Sequence, residues 1–144
     1  MAENSRRLVD LVVDLWNRGD AEIATRAYVA SAERTDPYRP APDRGPQQIA
    51  NYVREVRTGF PDFRVEAKQT VSEGDQLILL WRCTGTHKAE FQGIPATGKR
   101  FDIHGASLFR LSGGQIREER AFFDRLEMLE QLGVSPGASR PAAQ

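Results

Sequence analysis

The fold of this chain is constrained most by residues 101–133. They contain two strand-type runs joined by a glycine turn, followed by a helix-type run. The first run covers residues 101–111, Ser112-Gly-Gly114 supplies the turn, and the second run covers residues 115–123. A glycine pair between two such runs predicts a β-hairpin. The helix-type run, residues 125–132, stops at Gly133, and glycine is a common residue just past the end of a helix.

Composition narrows the class of protein. The 144 residues carry 20 basic and 20 acidic side chains, and this zero net charge argues against nucleic acid or an anionic membrane as the main partner. Cys83 is the single cysteine and has no partner for an intramolecular disulfide, which fits a reducing cytoplasm. No run of signal-peptide type follows the first seven residues, and the longest apolar run, 77–81, is too short to span a bilayer. We therefore expect a soluble cytoplasmic protein.

The first half of the sequence reads as three helices and a loop. Apolar residues at helical spacing predict a helix over about residues 5–18, and Asp20 is positioned to cap a second helix that ends near Ala30. Residues 36–46 contain four prolines, which rules out regular structure and predicts a loop. Pro46 suits the first position of a third helix, which ends at Gly59.

After Pro61 the apolar period changes from helical to two. Residues 63–71 alternate as a half-buried strand does, and residues 76–87 form a second strand with apolar side chains on both faces. That strand is therefore expected to be central or to cover an interface. Helices followed by an antiparallel meander predict an α+β fold. We expect one domain over residues 1–133 and a disordered tail over residues 134–144.

Short motifs occur in a fixed order along nearly the whole chain. They are Gly45-Pro46, Phe60-Pro-Asp-Phe63, Gly85-Thr-His87, Glu90-Phe-Gln-Gly-Ile-Pro95, Thr97-Gly-Lys99, Phe109-Arg110, Gly114-Gln-Ile116, Asp124 and Gln131-Leu-Gly133. In this order they resemble the SnoaL-like polyketide cyclase family, within the superfamily of nuclear transport factor 2 and ketosteroid isomerase. The resemblance implies a cone-shaped α+β barrel in which N-terminal helices pack on a curved, mostly antiparallel sheet. It also implies a homodimer or homotetramer without metal or organic cofactor.

The resemblance further implies a tailoring enzyme of aromatic polyketide biosynthesis acting on a hydrophobic polycyclic small molecule. In such cyclases an Asp at the position of Asp124 acts as acid and base in an intramolecular aldol ring closure. The chain departs from that pattern at Arg110, where those cyclases have a His, and at Glu119 and Arg120, where the family has aromatic residues or His. Small relatives are cofactor-independent hydroxylases, so hydroxylation of a polycyclic polyketide is an alternative. A non-catalytic protein that binds a hydrophobic ligand is a third.

Asp124 stands where the last strand meets the last helix, and two interpretations remain open. The two-residue period of a strand places four residues on one face, namely Glu118, Arg120, Phe122 and Asp124. If this face lines the cavity, an apolar pocket would raise the pKa of Asp124, which could then both take up and release a proton. Alternatively, Asp124 is the N-cap of the helix that begins at Arg125.

Three basic residues of the last two strands are candidate electrostatic partners of Asp124. Arg110 and Arg120 would stabilise an oxyanion if both faced the cavity, and the alternative is that they lie on the solvated face of the sheet. His104 shares strand parity with Arg110 and would be a second proton carrier, or else an ordinary surface histidine.

Aromatic residues are candidates for the wall that holds a flat ligand, and we expect Trp81, Phe91, Phe122 and Tyr38 among them. Asp36 and Tyr38 lie in the proline-rich loop and are predicted at the mouth of the cavity. His87 is expected at its rim. We expect no metal site, because Cys83 and His87 are only two ligands on one strand face. Residues 93–99 imitate a phosphate-binding loop, but strands flank them on both sides, so we interpret them as a turn.

Overall fold

The computed structural model describes residues 2–135, which form four helices and six strands. The helices are α1 Ala2–Arg18, α2 Ala21–Ala27, α3 Gly45–Gly59 and α4 Arg125–Gln131. The strands are β1 Tyr28–Thr35, β2 Asp43–Arg44, β3 Arg64–Glu73, β4 Gln76–Thr86, β5 Arg100–Ser112 and β6 Gln115–Phe123. Residues 136–144 of the predicted tail lie outside the described residues. Val134 still packs against the core, and its N–H donates to the Leu129 carbonyl at 2.9 Å.

The helices begin and end at residues that the sequence marks. The Asp20 side chain accepts a hydrogen bond from the Glu22 N–H at 3.0 Å and so caps α2. Pro46 lies in the first turn of α3 as predicted. The prediction that α2 continues to about Ala30 is wrong, because the chain turns into β1 at Tyr28 and pairs with β6.

One mixed sheet carries the fold, in the strand order β2-β1-β6-β5-β4-β3. The pair β1–β6 is parallel and the other pairs are antiparallel, and the sheet is not closed. Helices α1 and α3 pack against β3 and β1, and α4 packs against β5. The predicted α+β class, with N-terminal helices on a mostly antiparallel sheet, is confirmed. Strands β1 and β2 are not predicted by the sequence patterns.

Strands β4 and β5 build the inner face of the sheet. Leu77, Leu79 and Cys83 are buried and Trp81 is half-buried on the face that meets the helices, as the alternation predicted. Strand β3 is different, because it lies at the edge of the sheet and Val65 is its single buried residue. The prediction of a half-buried strand there holds at that one position.

A β-bulge in β6 decides which side chains face inward. Leu111 pairs with Ile116 but Arg110 pairs with Glu118, so Arg117 is an extra residue in β6. Because one added residue reverses the alternation, the buried residues after Ile116 are Glu119 and Ala121 rather than their neighbours. The face that carries Glu118, Arg120 and Phe122 is therefore the outer face.

Close packing also fixes the position of the Trp81 side chain on the inner face of the sheet. A Cβ added to Gly105 would lie 2.3 Å from Cη2 of Trp81, so the indole lies directly on the β5 backbone. The Trp81 Nε1–H donates to the Ser107 hydroxyl at 3.1 Å, and the ring meets Phe123 edge-on at 6.0 Å between centroids. These contacts hold the indole in one orientation against the cavity described below.

Candidate active site in the inner cavity

A cavity lies between the inner face of the sheet and helices α1, α3 and α4. It contains about 730 Å³ of empty space, including solvent at its opening. Small-molecule sites are commonly concave and largely apolar, as this cavity is. Its walls are mainly aliphatic and aromatic, and they include Val12, Val13, Trp16, Tyr38, Tyr52, Val56, Phe60, Phe63, Val65, Leu79, Trp81, Cys83, Phe91, Phe101, Ile103, Phe123 and Met128.

Three charged side chains interrupt this apolar wall. Arg34 Nη1 donates to Asp36 Oδ2 at 2.6 Å, and Arg34 Nε lies 3.3 Å from Glu119 Oε2. Their side chains are only 5%, 1% and 2% exposed. Burying charge is costly unless it is paired, so these three groups stabilise one another where they are buried.

The Arg34 guanidinium is also held by aromatic rings. Its central carbon lies 5.1 Å from the Trp16 ring centroid and 5.5 Å from that of Tyr52. Burial disfavours the charged form, but the carboxylates of Glu119 and Asp36 outweigh it and raise the pKa of Arg34 above its usual value. Arg34 Nε is buried and makes no hydrogen bond with the residues that the structure describes.

Tyrosine hydroxyls surround the same cluster. The Tyr28 O–H donates to Glu119 Oε1 at 2.5 Å, and burial together with the Glu119 charge raises the pKa of Tyr28 well above its usual value. Burial and the Asp36 charge likewise raise the pKa of Tyr52, and burial raises the pKa of Tyr38 to about 12. These phenols therefore remain protonated at neutral pH, and the Tyr28 hydroxyl is a hydrogen-bond donor to Glu119.

Four of the predicted ligand-binding residues lie in this cavity. Trp81, Phe91, Tyr38 and Asp36 all contribute to its lining, as the sequence analysis expected. Tyr38 meets Phe91 edge-on at 5.6 Å between ring centroids. The Tyr38 N–H donates to Asp36 Oδ1 at 2.7 Å, so the start of the proline-rich loop turns inward instead of extending into solvent. Their role in binding a substrate stays a prediction.

Asp124 lies elsewhere. It is exposed, and its carboxylate accepts a hydrogen bond from the Glu127 N–H at 3.0 Å, which caps α4. The capping interpretation is confirmed, whereas the expectation of a buried carboxylate in an apolar pocket is wrong. Asp124 follows Phe123, which does line the cavity. Its role as an acid and base stays a prediction.

The other four predicted site residues of the hairpin face away from the cavity. Arg110 pairs with Glu118 at 3.4 Å, and both side chains are 39% exposed. His104 and Arg120 are exposed, and the Arg120 guanidinium lies over the Phe122 ring at 5.3 Å. Phe122 is 49% exposed. The expectation that these side chains point into the cavity is wrong, because the inner positions of β5 and β6 belong to their neighbours. The solvated face, which was the alternative for Arg110, Arg120 and His104, is confirmed.

His87 is buried and is not at a rim. Its ring stacks on Phe60 at 5.0 Å between centroids, and the Thr97 N–H donates to Nδ1 at 3.3 Å. The residue anchors the turn over residues 93–99, which connects strands as expected. His87 is not among the residues that line the cavity.

The charged centre of the cavity does not follow from the sequence patterns. Arg34 lies on β1, a strand that the patterns do not predict, and Glu119 stands out in the sequence only as a departure from the family pattern. The available signal was the sequence of residues 28–35, which contains Tyr28, Val29 and Thr35, residue types that favour strands.

Within residues 2–135, no cluster of three or more His, Cys, Asp or Glu side chains is arranged to hold a metal ion. In the same part of the chain, every helix is too short or too polar to cross a bilayer.

Comparison with known proteins assigns the chain to a family. The profile of the SnoaL-like polyketide cyclases matches residues 6–132. The chain belongs to the SnoaL-like polyketide cyclase family. Aklanonic acid methyl ester cyclase DnrD of Streptomyces peucetius is 31% identical over 91 residues, which is 62% of this chain and 63% of DnrD. The match thus spans less than two thirds of that relative.

Solved structures share the fold. TsrD of Streptomyces laurentii superposes with a TM-score of 0.83 at 22% identity, covering 92% of this chain and 97% of TsrD. AclR of Streptomyces galilaeus, a candidate hydroxylase, superposes with a TM-score of 0.78 at 25% identity, covering 94% of this chain and 84% of AclR. The likeness to TsrD concerns the fold alone.

The environment of His87 predicts a pH dependence of stability. Burial lowers the pKa of His87 and outweighs the raising effects of nearby carbonyls and Glu90. The pKa of His87 is therefore lower in the folded state than the value of about 6.5 in the unfolded state. Neutral His87 is compatible with the fold above about pH 6.5, and the free energy of unfolding decreases as the pH falls from there through the folded-state pKa. We expect the urea midpoint of the wild type to fall more steeply between about pH 7 and pH 5 than that of His87→Gln.

His104→Gln is the matched control for this measurement, because His104 is exposed on the outer face of the sheet. It should follow the wild-type pH profile. An equally steep loss of stability in His87→Gln would contradict the assignment.

Proposed function

We propose that the protein is a cofactor-free cyclase of aromatic polyketides that closes a ring by intramolecular aldol addition. The observation that carries this proposal is the cavity itself, which is apolar and aromatic except for one buried group of charges and phenols. Membership of the family and the similarity to DnrD support the reaction class. Trp81, Phe91 and Tyr38 give the cavity aromatic surfaces against which a flat polycyclic substrate would pack.

An aldol addition needs a base, an acid and stabilisation of an oxyanion. Arg34 supplies positive charge inside the cavity and Tyr52 supplies a protonated phenol. Donors that are fixed before the substrate arrives need no reorganisation when negative charge develops on its oxygen. Asp124 occupies the position that the family resemblance assigns to the proton carrier, but its carboxylate is exposed and caps α4, whereas the carboxylates of Asp36 and Glu119 line the cavity.

Hydroxylation is the second candidate function. A cation in an apolar cavity would hold the phenolate of a polycyclic polyphenol, which would then react directly with molecular oxygen. The Arg34 guanidinium offers that charge, and the likeness to AclR supports keeping this reaction in view. Non-catalytic binding of a hydrophobic ligand is the third candidate, since the same apolar walls would serve it.

Turnover of aklanonic acid methyl ester separates these candidates. We expect the wild type to convert it to a ring-closed isomer of unchanged mass under nitrogen, because aldol addition adds no atoms. Product that forms only in air and carries an oxygen atom from O₂ would assign the hydroxylase reaction. Saturable quenching of Trp16 and Trp81 fluorescence without any product would favour the binding protein.

We further propose a cytoplasmic homodimer, or a homotetramer built from it, without nucleic acid or membrane as partner. Four large apolar side chains on β3, β4 and β6 are exposed, namely Val71, Ile78, Leu80 and Phe122. They lie on the outer face, where Ile78 is flanked by Val71 on β3 and Leu108 on β5. A contiguous apolar patch on a sheet is suited to pairing with a second copy.

Sedimentation velocity tests the oligomer. Leu80→Glu should shift the wild-type assembly to a smaller species, because it places a charge in the proposed interface. Leu126→Glu is the matched control, since Leu126 is an exposed leucine on α4 and is not part of the proposed patch. A monomeric wild type, or a Leu80→Glu variant of unchanged size, would contradict the proposed interface.

A further inference from the structure

We propose that Glu119 is the proton carrier of the cyclisation and that Tyr28 is its positioning residue. This inference rests on the function proposed above and names the group that moves the proton. Glu119 lines the cavity, whereas Asp124 is exposed and already engaged with the first turn of α4.

The contacts of Glu119 leave it able to exchange a proton. Asp36 is strongly paired, because one oxygen accepts from Arg34 at 2.6 Å and the other from the Tyr38 N–H at 2.7 Å. Glu119 accepts one hydrogen bond, from Tyr28, and its second oxygen lies 3.3 Å from Arg34 Nε, a longer contact than the 2.6 Å between Arg34 and Asp36. Asp36 is therefore the more tightly held anion of the cluster, and Glu119 has the more loosely held oxygen.

The charge count supports the same assignment. The cluster contains two carboxylates, Asp36 and Glu119, against one guanidinium, Arg34. One of the two carboxylates can therefore accept a proton from the substrate while Arg34 keeps an anionic partner in Asp36. The negative charge then passes to the enolate, which lies in the same cavity as the Arg34 guanidinium.

The reaction balances with this one carboxylate. Glu119 removes the proton from a carbon next to a carbonyl group, and the electron pair of the C–H bond forms an enolate. The enolate carbon attacks a ketone carbon of the same substrate, so that a C–C bond forms and the C=O π bond breaks to give an alkoxide. The proton held by Glu119 then passes to the alkoxide, which yields the hydroxyl group and restores the carboxylate. The sequence consumes no oxidant or reductant.

Tyr28 would fix the geometry of this carrier. Its hydroxyl is buried and donates to Glu119 Oε1, which turns Oε2 toward Arg34. The two side chains come from the parallel strands β1 and β6, so their contact also ties these strands together. Tyr28 contacts the carboxylate and not the substrate, so we treat it as a positioning residue.

Two readouts with aklanonic acid methyl ester test the proposal. The first is turnover, and the second is exchange of substrate C–H for deuterium in D₂O, measured by mass spectrometry. We expect Glu119→Gln to lower both by about 10²- to 10⁴-fold, the range typical of a lost acid–base group. Quenching of tryptophan fluorescence by the substrate should persist. Glu119→Asp should recover part of the rate, and Tyr28→Phe should lower it less than Glu119→Gln does.

Two matched control variants test whether the lost activity is due to Glu119 itself. Glu118→Gln makes the same chemical change one residue earlier, on the outer face, and should leave both rates unchanged. Asp124→Asn keeps a good N-cap and removes only the titratable group, so it should retain most of the activity. Thermal unfolding of each variant separates loss of fold from loss of chemistry.

The outcomes distinguish this inference from the function on which it rests. Exchange and turnover that persist in Glu119→Gln but disappear in Asp124→Asn would overturn the role of Glu119 and leave the cyclase assignment intact. A wild type that neither exchanges nor turns over the substrate would overturn the proposed function, and the role of Glu119 with it. If Glu119→Gln does not fold, equal activity of Glu119→Asp, Tyr28→Phe and the wild type would overturn the proposal.

Discussion

The buried ion pairs of Arg34 are the interaction on which the inner cavity depends. They join the end of β1, the loop that follows it and the middle of β6, so that one guanidinium connects three segments of the chain. Removing one partner of a buried pair commonly costs about 3–5 kcal/mol, because the remaining charge is left without compensation. The aromatic rings of Trp16 and Tyr52 add contacts from the helices on the other side. The charged centre therefore also joins the sheet to its helices.

A single extra residue in β6 gives this centre its chemistry. The bulge at Arg117 turns Glu119 inward and Glu118 outward, and it does the same for the residues that follow up to Phe123. Without the bulge, Arg120 and Phe122 would face the cavity and Glu119 would face solvent. The local irregularity thus determines whether the cavity wall carries a carboxylate or a guanidinium at this point. The residues proposed for catalysis consequently lie on the inner face of the sheet. The outer face carries the residues proposed to contact a second copy of the chain.

Elements whose sequence pattern lies within their own residues could be predicted, and elements that depend on a distant part of the chain could not. Helices α1 and α3 and strands β3 to β6 have periodic patterns or turn residues within their own length, and these were recognised. Strand β1 is stabilised by parallel pairing with β6, and its residue Tyr28 pairs with Ile116, about ninety residues later in the chain. No pattern within β1 indicates so distant a partner.

The same distinction applies to the site. The aromatic wall residues Trp81, Phe91 and Tyr38 were predicted because large apolar side chains are generally inside. The sequence left both faces of the sheet open for Arg110, Arg120 and His104, because strand parity fixes which residues share a face but not which face is buried. In β6 the bulge at Arg117 decides this, and no local pattern indicated it. Asp124 was recognised as a possible helix cap from its position alone, and it forms that cap.

The central claim is that ligand chemistry takes place in the inner cavity and not on the outer face. A crystal structure of the protein with a bound hydroxylated anthraquinone tests it most directly. We predict that the ring system lies against Trp81, with an oxygen within hydrogen-bond distance of Glu119 or Arg34. A ring system bound on the outer face, against Phe122 and beside His104, would contradict the account.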